Sequence, residues 1–120
     1  MHKLEEMANL GKFQNIKIMV YEGEGTVPHF HFENLQDGRK GCIKLLINEY
    51  FKHGEYKDEL NSRERKWLVE FLNSEPKEQY RRMFKEGLTN YDVLCLLWDM
   101  NNDDDEISLD NLEMPNYKNM

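Results

Sequence analysis

Long hydrophobic runs are missing from this 120-residue chain. Its most apolar stretches, residues 43–47 and 93–98, fall far short of the roughly 20 residues that a membrane-spanning helix needs. An integral helical membrane protein is therefore excluded. Residues 1–7 carry Glu5 and Glu6 and no apolar core of signal-peptide length, so secretion is not expected and the cytoplasm is the expected compartment. Cysteine is scarce: Cys42 and Cys95 are the two present, with no CxxC spacing. Both are expected to be reduced, buried thiols. A basic excess is absent as well, since the net charge is −7, and that argues against nonspecific nucleic-acid binding, which depends on Lys and Arg neutralising phosphates. No GxSxG elbow, glycine-rich phosphate loop or HExxH helix occurs. Catalysis has no positive signature in the chain.

What is present divides into two halves. Residues 13–21 alternate, with Ile16, Ile18 and Val20 on one face against Asn15 and Lys17 on the other, the period-2 pattern of a half-buried strand. Gly23 and Gly25 then allow a turn into a second alternating run at 27–33. Asp37-Gly38 is a hairpin-turn pair leading to a third strand at 41–47. Residues 48–59 scatter Tyr50, Phe51 and Tyr56 among charges around Gly54, the composition of an irregular segment. Helices are expected afterwards. Asn61 with Glu64 makes a capping box ahead of Trp67, Leu68, Phe71 and Leu72 at helical spacing. Pro76 opens a second helix carrying Tyr80, Met83 and Phe84 and ended by Gly87. Thr89 with Asp92 caps a third, lined by Val93, Leu94, Leu97 and Trp98. The expected fold is α+β: a three-stranded antiparallel meander with about three helices packed on it. Residues 1–101 form a single domain in this reading, and 102–120 an acidic tail, draped over the domain or mobile.

The sharpest local feature is Pro28-His29-Phe30-His31-Phe32-Glu33. On a strand, alternation puts His29, His31 and Glu33 on one face and both phenylalanines on the other. Two imidazoles and a carboxylate suit a divalent transition metal. The same pattern is also what a sheet with one solvated polar face requires. A cupin-like reading, prompted by Gly23 ahead of the His-x-His, fails because Glu33 follows too closely and there are too few strands to close a barrel.

The charge is segregated. Residues 89–120 hold Asp92, Asp99, Asp103, Asp104, Asp105, Glu106, Asp110 and Glu113 against Lys118 alone, which accounts for the whole negative excess. Residues 99–110 offer oxygens as a calcium loop would, but Asp104 stands where the sharp turn needs glycine and Asp110 where the bidentate Glu belongs. A solvated acidic tail is the plain alternative to weak divalent-cation binding there, and Asp99, Asp103, Asp104, Asp105, Glu106 and Asp110 otherwise fit a surface for a basic protein partner.

The run of residues 13–72, with Val27-Pro28-His29-Phe30-His31 after the first strand, resembles a family of small bacterial proteins of unknown function with a Pro-His-Phe-His motif. Residues 89–102 are similar to the C-terminal part of small accessory proteins of gut Bacteroidetes and their phages. The resemblance implies an accessory role and supplies no catalytic residues. The function expected is thus a non-enzymatic, regulatory protein-interaction module of bacterial or phage origin, without a resident cofactor, that engages a basic partner through its acidic region. The alternative is a small metal-dependent enzyme or metal sensor using His29, His31 and Glu33.

Overall fold

The computed structural model describes residues 8–21, 27–102, 107, 109 and 112–120. Four antiparallel strands, β1 (Ala8–Phe13), β2 (Ile16–Val20), β3 (His29–Asn34) and β4 (Lys40–Lys44), form one sheet in sequence order. Three helices follow, α1 (Ser62–Leu72), α2 (Glu78–Met83) and α3 (Asn90–Asn102). The class is α+β, with one strand more than the sequence pattern indicates. The extra strand is β1, joined to β2 by a two-residue turn in which Gln14 adopts φ 52°. β1 is hard to see because its pairing slips between Asn9 and Gly11, leaving Leu10 as a bulge.

Ile16, Ile18 and Val20 on β2, Phe30 and Phe32 on β3 and Ile43 on β4 share one buried cluster with Leu68 and Leu72 of α1 and Val93, Leu94 and Leu97 of α3. Helix starts follow their local chemistry. Asn61 Oδ1 accepts from Glu64 N at 2.8 Å while Glu64 Oε1 accepts from Asn61 N at 2.9 Å, a reciprocal cap that satisfies two otherwise orphaned donors. Thr89 and Asp92 exchange the same pair of bonds at the start of α3. Helix α2 stops at Met83, short of Gly87, and anchors through Tyr80, whose hydroxyl donates to Asn9 O at 2.8 Å.

The C-terminal residues 112–120 lie on the domain. Tyr117 is fully buried, and its hydroxyl donates to Leu45 O at 2.8 Å, an oxygen that also accepts from Tyr91. Burial holds both phenols, and Cys95 beside them, in their neutral forms; the Cys95 thiol is pushed up to about 12. Among the described residues, no helix is long and apolar enough to cross a membrane.

The second face of the sheet is graded from one end to the other. Lys17, Glu33 and Lys40 sit opposite one another in register and are partly exposed. One step along, Met19, His31 and Cys42 form the next row, and all are buried. The irregular segment after β4 lies against this row, with the Tyr56 ring packed on His31. Its backbone runs along the outer edge of β4, with Phe51 N donating to Cys42 O at 3.0 Å and Asp58 N to Lys40 O at 2.9 Å. An edge strand is thereby shielded from pairing with other chains. The segment turns tightly at Gly54, φ 60°, where His53 and Tyr56 exchange backbone bonds.

Candidate metal centre

Strand alternation brings His29 and His31 onto one face of β3. The β3–β4 register sets Cys42 directly opposite His31, and the irregular segment after β4 supplies His53. One potential ligand atom from each of His29, His31, Cys42 and His53 can be chosen so that no two are more than 4.8 Å apart. Bonds of about 2.3 Å to sulfur and 2.0–2.1 Å to nitrogen in a tetrahedron give ligand edges of about 3.4–3.5 Å. Cys42 Sγ lies 3.5 Å from His31 Nδ1. That one distance matches such an edge, and the other separations extend to 4.8 Å.

Orientation is partly built in. His29 Nδ1 is 2.8 Å from Val27 O, and since a carbonyl oxygen only accepts, Nδ1 is the donor there, which leaves Nε2 as the atom a metal would take. A backbone carbonyl fixing the tautomer of a ligating histidine is a recurrent feature of metal sites. The His31 ring is held edge to face by Tyr21 and Tyr56, with ring centroids 4.5 Å away in both cases. Phe51 and Trp98 lie 4.6 Å and 5.0 Å from the His29 ring. His29, His31 and Cys42 are no more than 1% exposed, whereas His53 is exposed. Three donors therefore sit on a buried, aromatic-walled platform, and the fourth closes it from the solvent side.

The sequence pattern singles out His29 and His31, which the structure brings together, and Glu33, which it places two residues further along the same face between Lys17 and Lys40. Glu33 is not one of the four grouped residues. Cys42 and His53 escape the sequence pattern. Cys42 reads as an ordinary core thiol until the strand register is known, and His53 lies where periodicity is lost. Of the acidic residues, Asp99 is on α3 and its Oδ2 accepts from Ile107 N at 2.9 Å; Asp103, Asp104, Asp105, Glu106 and Asp110 lie outside the described residues. No family model, curated protein or solved structure matches the chain.

Proposed function

We propose that this protein binds a transition-metal ion through His29, His31, Cys42 and His53. The observation that supports it is the convergence of three imidazoles and a thiol, their ligand atoms within 4.8 Å, on a face where three of the four residues are buried. The test is the metal content of untagged protein prepared without chelator, compared with the double variant His29→Ala/His31→Ala. Near-stoichiometric metal in the wild type, lost in the variant, is the expected result. Wild-type protein that takes up no metal on titration would reject the proposal.

The segregated charge supports a second reading, an accessory module of bacterial or phage origin whose acidic C-terminal quarter engages a basic protein. Its signature is partner binding that weakens steeply with salt and is lost when residues 103–113 are deleted. The two readings are compatible, since they use different parts of the chain.

A further inference from the structure

We propose that the ion this centre is built for is monovalent copper, Cu(I), bound by the Cys42 thiolate and the imidazoles, with the Met19 thioether as an additional soft donor. The inference rests on the metal-centre reading above and names its ion. Met19 is the direct partner of His31 across the β2–β3 ladder, as Cys42 is across β3–β4. Thioether, imidazole and thiol thus form one row across three strands, with adjacent Cβ atoms about 4.5–5.5 Å apart. Met19 is 1% exposed, yet it stands apart from the main apolar cluster that takes Ile16, Ile18 and Val20 from the same strand. It shares the histidine face of the sheet. The Tyr21 hydroxyl donates to Met19 Sδ at 3.7 Å, and the Tyr21 ring packs against His31. A thioether sulfur has a second lone pair, so this bond leaves it able to ligate.

Charge favours the same ion. The grouped donors comprise one thiol, three imidazoles and no carboxylate, so the ligated set carries a single negative charge. Cu(I) makes the centre neutral, while Zn(II) leaves it with a net positive charge on a platform whose sheet-borne donors are buried, where an uncompensated charge is penalised. Thiolate suits Cu(I) and Zn(II) alike, but a thioether is a soft donor that suits Cu(I) and is not among the usual Cys, His and carboxylate ligands of zinc. Binding exchanges the Cys42 proton, released to solvent, for the ion, and copper stays in its +1 state throughout.

The test is anaerobic competition for Cu(I) against bicinchoninate and for Zn(II) against pyridylazoresorcinol, on wild type and Met19→Leu, with X-ray absorption at the copper edge. Two sulfur scatterers in the wild type, one in Met19→Leu, and a loss of Cu(I) affinity on the order of tenfold with Zn(II) affinity unchanged are expected. A single sulfur in wild-type protein, or an equal loss for both metals, overturns the assignment of copper and Met19 while leaving a metal centre in place. Uptake of neither ion, nor of Fe(II), Co(II) or Ni(II), by the wild type overturns the metal-centre reading itself.

Discussion

The sulfur of Cys42 lies 3.5 Å from Nδ1 and 3.8 Å from Nε2 of His31, its partner across the β3–β4 ladder. Such nearly equal distances mean that the sulfur faces the side of the ring and is not aligned with one nitrogen lone pair, so any hydrogen bond between them is poorly directed. An ion shared by both would replace that contact with a coordinate bond to each.

Metal binding to the native state alone must stabilise it. At free metal about 100 times the dissociation constant the gain is about 2.7 kcal/mol, which for a domain of this size corresponds to a rise in Tm of roughly 10 °C. Thermal unfolding with and without metal checks this. Wild type is expected to shift, and Cys42→Ala and His31→Ala are expected to show almost no shift.

His53 separates affinity from stability. It is the exposed member of the group, and substitutions of exposed residues usually change stability by no more than about 0.5 kcal/mol. His53→Ala should therefore unfold at nearly the wild-type urea midpoint in the apo form. Its metal affinity should fall about 100-fold, at the upper end of what disturbing even a supporting residue costs. Titration calorimetry read beside urea melts gives both quantities.

The parts of the fold legible in the sequence are those fixed by neighbours along the chain. The Asn61–Glu64 and Thr89–Asp92 caps need contacts only three residues apart, and the alternation of Ile16, Ile18 and Val20 announces a strand and its face. The His29–His31 pair is legible for the same reason. Strand β1 is not, because the Leu10 bulge breaks its period. Cys42 joins the site through strand register, which depends on the intervening loop, and His53 through the path of an irregular segment with no periodicity to read. Half of the candidate site is thus local information and half is tertiary.

Glu64 predicts the acid limb of stability. Burial works to raise its carboxyl pKa, but the Arg39 guanidinium, the Asn61 backbone N–H and the Asn34 amide outweigh that and hold it below the usual value of 4.5. The Arg39 contact is two-pronged, at 3.1 Å and 2.6 Å. A carboxyl depressed in the folded state contributes stability that is fully present above its unfolded pKa and is lost as pH falls through the lower, folded value. Wild-type unfolding free energy should therefore drop as pH falls below 4.5. Glu64→Gln should cost roughly 1–2 kcal/mol at neutral pH and flatten that drop, as measured by urea unfolding across the acid range.

Tyr117 tests how far the C-terminal segment belongs to the domain. Its ring is fully buried and meets Phe30 edge to face at 5.9 Å. Tyr117→Phe removes only the hydroxyl, and Leu45 O keeps its bond from Tyr91, so a loss of about 1 kcal/mol is expected. Tyr117→Ala empties the ring site and should cost about 3–5 kcal/mol. Equal, small effects from both variants in chemical denaturation would mean that the segment contributes little to the folded domain.

Gly41 ties the irregular segment after β4 to the sheet beside Cys42. A Cβ there would strike the backbone oxygen of Asp58 and come within 2.7 Å of Cε2 and Cζ of Phe32. Phe32 is buried in the core and the Asp58 backbone is held by its bond to Lys40 O, so neither can withdraw without disturbing its own contacts. Gly41→Ala should therefore destabilise the domain by about 1–3 kcal/mol, the usual cost of overpacking. Because the displaced segment carries His53, the same variant should also weaken metal binding without removing any ligand. Addition of metal should then recover less thermal stability in Gly41→Ala than in wild type. A full wild-type increment in the variant would show that the approach of Asp58 to β4 has no bearing on the position of the fourth donor.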